Sequence, residues 1–514
     1  MKLSRLGVTL LILSGSVRLN VSAQQANACE RLASISLPSG KITSAVRVDA
    51  GTFTPPAGRR GSPEPFRDLG AFCRITTTTP TALASDAKTE IWLPIDNWNH
   101  DYQPAGGGFY GAGMGYARMR EILRGGSATS ASDSGMDGGG LGALIQHPEQ
   151  LKNIANAPFH AMVEQGKALV AAYYGAAPRF TLMDECGNGG SRDAVAMVQR
   201  WPGDLDVATA IGSTNYGTHH GIAQMWLYWA THRNAASYIP EEKYAAIHQA
   251  ALDACDAKDG VKDGVIEDPP HCRFDPGVLL CKGSDSPACL TAPQVEAARK
   301  IYETPRHART NAVLYGPMVP GSEFSWPPVA GSPRPYPYAE QFYRFFVFHD
   351  PNWDYKTFTP DFSADVDRAD APENLPMNAT DPNIAPFIDR GGKLIMMGGW
   401  NDDLGPGNNV NYYESVVRTI GAAKARNGIR LFMVPGMAHC LAADFPTIYR
   451  VDFDLPGAAK QWKQTGKAPD DIVVTTTRKG EPAQKRRVCA YPKVSQYKGK
   501  GDAGDPANFV CKTP

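Results

Sequence analysis

The 514-residue sequence predicts an α/β fold in which a core of alternating strands and helices is interrupted by one long insertion. Residues 179–201 have the order strand, glycine-rich turn, helix, and residues 393–434 alternate strand, helix, strand. Between these stretches the sequence is rich in Trp, Tyr, Pro and Gly and lacks a regular alternation. We therefore predict a core formed by residues 24–209 and 381–514, with residues 210–380 as an inserted lid domain.

The first elements are predicted from short apolar runs and helical periodicity. Residues 72–79 and 88–95 are β-rich and bounded by turns. Apolar residues recur at helical spacing from Phe159 and stop at Gly175, which is a typical residue to follow a helix. Residues 179–183 form the next strand, and a helix follows from Ser191.

The last elements are a strand at 393–397, a helix at 412–419 and a strand at 429–434. A C-terminal tail begins near residue 470. The sequence contains no internal repeat, which argues against a repeat architecture.

Composition excludes several classes of protein. Hydrophobic residues make up 42% of the chain and charged residues 20%, which is typical of a globular protein and not of a disordered one. Because 52 basic residues balance 52 acidic ones, no net charge favours binding to nucleic acid. Beyond residue 25 no stretch approaches the roughly 18 apolar residues that a membrane span needs. The sequence leaves the oligomeric state open.

The N-terminus has the pattern of a signal peptide. Lys2 and Arg5 precede the apolar run 6–13, and the small residues at 21–23 form a cleavage site. We therefore predict that residues 1–23 are removed and that the mature chain is secreted or periplasmic. One glycosylation sequon begins at Asn378 and would matter only in a glycosylating host.

The mature chain would keep all ten cysteines, an even number with no CxxC pair. In an exported protein this favours disulfides over a zinc site. The spacing alone does not fix which cysteine pairs with which.

Three segments carry the candidate chemistry. The glycine-rich turn 186–190 between a strand and a helix is typical of a nucleophile elbow, the sharp turn that exposes a catalytic serine. Asp402 follows the strand at 393–397, and His439 follows the strand at 429–434. Each could be an ordinary loop residue, but their shared position after consecutive strands favours a catalytic pair. The aspartate would orient the imidazole, and the histidine would act as general base and then as general acid.

These segments resemble the tannase and feruloyl esterase family of α/β-hydrolases. That family has Cys-Ser-x-Gly-Gly at the elbow, an aspartate after Gly-Trp, and Pro-Gly-Met-x-His-Cys around the histidine. The corresponding stretches here are 186–190, 399–402 and 435–440, and residues 489–492 and 508–511 resemble the family's C-terminus. The resemblance covers most of the chain and implies an α/β-hydrolase core sheet with a large inserted lid domain. It also implies hydrolysis of an ester, with an aromatic small-molecule acid as the expected substrate component.

The resemblance further implies the disulfides and a calcium site. The implied disulfides are Cys29–Cys73, Cys186–Cys440, Cys255–Cys272, Cys281–Cys289 and Cys489–Cys511. In residues 256–265, three carboxylates separated by glycines suit a cation that prefers about six to eight oxygen ligands, although a solvated acidic turn would have the same spacing. The family's lid calcium loop has ligands at positions that match Asp256, Asp259, Val261, Asp263 and Val265.

The sequence departs from the family at the nucleophile. Gly187 occupies the position of the family's serine, so no acyl-enzyme can form there. Ser191 is a weak candidate for a substitute, because a serine where a helix begins is more typical of an N-cap. Three neighbours also depart from the family: Glu185 replaces a glycine, Gly398 a histidine and Asp403 a proline.

Three functions remain open at this stage. The first is ester hydrolysis by His439 and Asp402 with water or Ser191 as nucleophile, and with an oxyanion hole formed by backbone N–H groups near Gly107 and Asn188. The second is a lyase, isomerase or cyclase in which the His439/Asp402 pair moves protons, assisted by Glu185 or Asp184. The third is a non-catalytic protein that binds an aromatic ligand.

Overall fold

The computed structural model describes most of the chain after the N-terminal segment. The described residues are 28–56, 64–81, 86–106, 114–136, 151–154, 157–187, 189–357, 360–403, 405–441, 449–478 and 480–514. The predicted signal peptide, residues 1–23, lies outside them. None of the helices in these ranges is long and apolar enough to cross a membrane.

A nine-stranded mixed sheet forms the core, with the strand order β1-β2-β3-β5-β4-β6-β7-β8-β9. Its strands are β1 (Lys41–Val48), β2 (Phe72–Thr79), β3 (Ala87–Pro94), β4 (Asp101–Pro104), β5 (Ala128–Ser132), β6 (Phe180–Cys186), β7 (Val207–Ile211), β8 (Lys393–Gly399) and β9 (Ile429–Val434). The first three strands and β5 pair antiparallel, whereas β5, β4 and β6 to β9 pair parallel in that order. The α/β architecture predicted from the sequence is confirmed.

Thirteen α-helices connect and cover these strands within the described ranges. They are α1 (Tyr116–Arg124), α2 (Leu151–Ile154), α3 (Ala157–Tyr174), α4 (Gly190–Arg200), α5 (Gly217–His232), α6 (Tyr244–Cys255), α7 (Ala292–Tyr302), α8 (Pro337–Phe342), α9 (Phe362–Ala369), α10 (Ala385–Asp389), α11 (Gly407–Ile420), α12 (Ala422–Gly428) and α13 (Leu455–Thr465). Gly175, with φ of 72°, follows α3 as predicted. The helix predicted at 412–419 is longer at both ends.

Both faces of the parallel strands are covered by helices, which explains why these strands are apolar along their whole length. Leu394 and Leu431 pack in the cluster that contains residues of α3, α4 and α11. Their neighbours Ile395 and Phe432 point to the opposite face and pack with residues of α13.

The carboxyl ends of β6 to β9 lie along one edge of the sheet. Cys186 pairs with Ile211, Ile211 with Met397, and Gly399 with Val434. Ligands bind beyond the carboxyl ends of the strands in open α/β sheets. The register therefore brings together the segments that follow β6, β8 and β9, which carry the predicted site.

Residues 212–392 form an insert between the neighbouring strands β7 and β8. The described part of this insert contains α5 to α10 and has an apolar cluster of its own, which includes Leu227, Tyr244 and Trp326. The insert overlaps the segment 210–380, for which a separate lid domain stays a prediction. The chain thus leaves the sheet at one strand and returns to it at the adjacent one.

Beyond the main sheet, the C-terminal part adds two small sheets. Their strands are β10 (Arg450–Asp452), β11 (Asp471–Thr477) and β12 (Gln484–Cys489) in one, and β13 (Val494–Tyr497) and β14 (Phe509–Lys512) in the other. The structure contains five disulfides, and their pairing is the one that the family resemblance implies.

Candidate active site

Gly187 occupies the sharp turn between β6 and α4. Its φ of +86° lies in the left-handed region, which glycine adopts without strain. A Cβ atom at this position would lie 3.5 Å from Nε2 of His439 and 2.9 Å from Sγ of Cys440. Position 187 therefore has the backbone geometry of a nucleophile elbow, and a side chain there would point at the histidine.

His439 and Asp402 form a hydrogen-bonded pair, with 3.0 Å between Nδ1 and Oδ2. The aspartate side chain is only 4% exposed and the imidazole 21%. Burial lowers the pKa of His439, but the charge of Asp402, the hydrogen bond to it and the charge of Asp403 outweigh burial and raise the pKa above its ordinary value. The imidazole is therefore oriented by Asp402, and its second nitrogen faces Gly187.

Glycines make room for this pair. A Cβ at Gly212, at the end of β7, would lie 3.0 Å from Nδ1 of His439 and 3.4 Å from Oδ2 of Asp402. At Gly399 a Cβ would overlap the carbonyl oxygen of Met437, which explains the glycine before Trp400. Glycine at these two positions therefore allows the segments after β7, β8 and β9 to approach one another closely.

A disulfide joins the elbow to the histidine loop. Cys186 directly precedes Gly187, and Cys440 directly follows His439. The two Cα atoms are 5.4 Å apart although 254 residues separate them in sequence. The disulfide therefore constrains the distance between the elbow backbone and the imidazole.

Comparison with known proteins identifies the family. The family model described as "Tannase and feruloyl esterase" matches residues 73–512. The chain belongs to this family. Its members are carboxylic ester hydrolases.

Relatives and solved structures agree with this assignment. An uncharacterized esterase of Xanthomonas campestris pv. campestris is 33% identical over 99% of this chain and 96% of its own length. A probable feruloyl esterase B-1 of Aspergillus oryzae is 29% identical over 88% of this chain and 86% of its own length. The crystal structure of feruloyl esterase B from Aspergillus oryzae has a TM-score of 0.83 at 26% identity, covering 95% of this chain and 100% of that one.

The tannase fold is shared as well. The structure of tannin acyl hydrolase from Aspergillus niger has a TM-score of 0.76 at 19% identity and covers 96% of both chains. The α/β-hydrolase core sheet expected from the family resemblance is thereby confirmed.

Ser191, the candidate substitute in this family member, lies under the elbow. It is fully buried in the first turn of α4, and its hydroxyl donates a hydrogen bond to the carbonyl oxygen of Gly187. The predicted N-cap role is wrong: the helix begins at Gly190, its N-cap residue is Gly189, and no side chain caps it. The helix thus begins one residue earlier than the sequence pattern indicates.

The predicted oxyanion-hole residues, Gly107 and Asn188, lie outside the described residues. The neighbouring Gly106 is described, and its N–H donates to Oε1 of Glu185 at 2.8 Å. Glu185 is thus in contact with the segment that leads to the predicted oxyanion hole.

Two residues of the insert, His220 and Tyr315, interact electrostatically with the pair and were missed by the sequence reasoning. His220, on α5, is buried, with its Nδ1 3.0 Å from the hydroxyl oxygen of Tyr315. Burial, reinforced by the positive charge of His439, lowers the pKa of His220 to about 3, so its imidazole is neutral. In the sequence, the adjacent histidines at 219 and 220 were the feature that could have indicated this contact. Nothing in the sequence around Tyr315 indicated that it lies there.

In the loop predicted to bind calcium, backbone N–H groups donate hydrogen bonds to the carboxylates of the same loop. Asp256 accepts N–H groups of Asp263 (3.2 Å) and Gly264 (3.0 Å), and Asp259 accepts that of Val261 (3.0 Å). Asp263 accepts the N–H of Val265 (3.2 Å) and pairs with Arg486.

The donor set of this loop suits calcium chemically. Burial, with the charge of Asp263 adding to it, raises the pKa of Asp256 and raises that of Asp259 to about 6. The three carboxylates do not lie within 4.8 Å of one another in the described structure. Calcium binding through these carboxylates and the carbonyls of Val261 and Val265 therefore stays a prediction.

Proposed function

We propose that this protein is a carboxylic ester hydrolase in which His439 activates water directly, in place of the family's serine. The observation that carries the proposal is the geometry at Gly187. The imidazole is held by Asp402 at 3.0 Å, and its Nε2 lies 3.5 Å from the point where a Cβ at position 187 would stand. In place of a serine hydroxyl, a water molecule next to this general base would be the nucleophile.

Each proton has a place in this mechanism. His439 takes a proton from water through Nε2 while the water oxygen forms a bond to the ester carbonyl carbon. Asp402 stabilises the imidazolium that results. The imidazolium then gives the proton to the leaving alcohol as the C–O bond breaks, and the acid product is released. The oxyanion would be bound by the N–H groups near Gly107 and Asn188.

The substrate we propose is an ester of an aromatic acid. Relatives described as probable feruloyl esterases support this class. Aromatic side chains of the insert, Tyr315 and Tyr338, also lie beside His220 near the catalytic pair, with ring centroids 6.1 and 5.0 Å from that of His220.

We also propose export and a structural calcium ion. The signal-peptide pattern and five disulfides support a secreted or periplasmic location, since disulfides persist in oxidising compartments. The acidic loop 256–265 would hold the ion through Asp256, Asp259, Asp263 and two backbone carbonyls.

A second candidate is a protein that binds its ligand or moves protons without hydrolysing an ester. The replacement of the nucleophile by Gly187 favours it, as does the hydrogen bond that commits the Ser191 hydroxyl to the Gly187 carbonyl. In the non-hydrolytic enzyme, a lyase, isomerase or cyclase, His439 would be the general base.

The deciding experiment compares the mature protein with Gly187→Ser and His439→Ala on gallate, hydroxycinnamate and terephthalate esters. We expect slow hydrolysis by the unmodified protein, loss of this activity in His439→Ala, and no label from a fluorophosphonate serine probe. Labelling of the unmodified protein that disappears in Ser191→Ala would show that Ser191 is the nucleophile. Activity in Gly187→Ser alone would favour the second candidate.

A further inference from the structure

The side chain of Glu185 lies behind the elbow, where the family has a glycine. It is 8% exposed, and its Oε1 accepts the N–H of Gly106 at 2.8 Å. Gly106 follows β4, and Glu185 is the penultimate residue of β6. One carboxylate thus links the chain after β4 to the strand that leads into the elbow.

The first turn of α4 closes the third side of this site. A Cβ at Gly190, the first residue of α4, would overlap Oε2 of Glu185. A Cβ at Gly106 would lie 2.6 Å from Cα of Gly190 and 3.2 Å from Cδ of Glu185. The glutamate therefore fits only because both neighbouring positions are glycine, and three backbone segments meet around it.

The charges around Glu185 come from α1, β6 and α4. Arg118, on α1, has its Nε 3.9 Å from Oε1 and its Nη2 3.0 Å from Oδ2 of Asp184. The positive end of the α4 dipole also faces the carboxylate. Burial outweighs Arg118 and the Gly106 N–H, and with the charges of Asp184 and Asp193 it raises the pKa of Glu185 to about 7.

We propose that Glu185 is a positioning residue that holds Gly106 against the first turn of α4 and thereby fixes the backbone on both sides of the elbow. This inference rests on the proposed hydrolytic function. It acts through these backbone segments and not on the reacting atoms, by holding Gly106 and the first turn of α4 in a fixed position relative to the turn at Gly187.

The test compares Glu185→Ala with Glu185→Gln. The glutamine keeps an oxygen that can accept the Gly106 N–H, whereas the alanine does not. We expect Glu185→Ala to lose hydrogen-exchange protection in the peptide containing Gly106 and to lower kcat by roughly tenfold to a hundredfold with little change in KM. Glu185→Gln should keep most of the hydrogen-exchange protection and most of the kcat. Glu90→Gln is the matched control, because Glu90 is also buried and paired with an arginine, Arg74, but lies on β3.

A second readout uses pH. Since the carboxyl pKa is higher in the folded chain than its ordinary value of 4.5, the folded state loses stability relative to the unfolded state as the pH rises from about 4.5 to about 7. The glutamine variant lacks this loss. Its Tm should therefore rise relative to that of the unmodified protein over this range.

The outcomes separate the inference from the function on which it rests. Each variant is also made in the Gly187→Ser background, so that kcat can be measured even if the unmodified protein hydrolyses no ester. Absence of hydrolysis by the unmodified protein would overturn the proposed function alone. Loss of protection with unchanged kcat in both backgrounds would overturn the positioning role. Unchanged protection in Glu185→Ala would overturn it as well.

Discussion

Gly212 lies directly against His439, and a Cβ at position 212 would be 3.0 Å from Nδ1 of the imidazole. The same Cβ would lie 3.4 Å from Oδ2 of Asp402. The hydrogen bond that orients the imidazole therefore depends on the absence of a side chain at the end of the neighbouring strand.

Gly212→Ala should displace the imidazole and lower kcat by at least about tenfold, since misplacement of a catalytic group by about 1 Å can cost a factor of a hundred. Steady-state kinetics on the best ester would measure this. Gly175→Ala is the control: Gly175 also has positive φ (72° against 57°), but a Cβ there meets nothing within 4 Å. Equal losses in both variants would attribute the effect to backbone strain.

Gly187→Ser should create an acyl-enzyme and increase turnover by several orders of magnitude, because removal of the nucleophile from such a site can cost about six orders. A burst of alcohol release and a mass increase of the protein would report the acyl-enzyme. Gly187→Ala separates the hydroxyl from the bulk of the side chain. The alanine should abolish the slow native hydrolysis by filling the water site, and unchanged activity in this variant would contradict the mechanism.

Hydrolysis should fall at acidic pH with an apparent pKa above 6.5, because the general base must be neutral and its pKa is raised. Asp403→Asn should move this limb to lower pH, since Asp403 contributes to the raised pKa of His439. The profile of kcat/KM against pH measures both effects. Asp452→Asn, on β10, is the charge-matched control and should leave the limb in place.

Calcium should raise the Tm, and EGTA should lower it. An ion at a hundredfold excess over its Kd adds about 2.7 kcal/mol to the free energy of unfolding. Thermal unfolding with calcium, magnesium or EGTA tests this. Asp259→Asn should remove the response, while Asp253→Asn, an exposed aspartate on the preceding helix, should keep it. A Tm that is independent of calcium would contradict the proposed calcium site.

The sequence predicted the elements whose signal is local. Apolar runs located β6, β8 and β9, and the positions of Asp402 and His439 after two of these strands followed from the chain itself. The parallel register then makes their proximity a consequence of topology.

Contacts made by the insert were not predictable in this way. His220 and Tyr315 are 95 residues apart and meet only through packing of the insert. The start of α4 was misplaced because a serine where a helix begins is typical of an N-cap, whereas the helix in the structure begins at Gly190 and has no side-chain cap. The contact of Glu185 with Gly106 likewise depends on a tertiary fit that no spacing reveals.

The insert leaves from Ile211 and returns at Lys393, and these residues belong to strands that share hydrogen bonds. Adjacent strands lie about 4.8 Å apart, so a short linker could bridge the gap in its place. The insert can therefore vary in length without changing the order of the strands, because both of its ends lie at neighbouring positions of the sheet. A chimaera that carries the corresponding segment of a relative should keep this strand order.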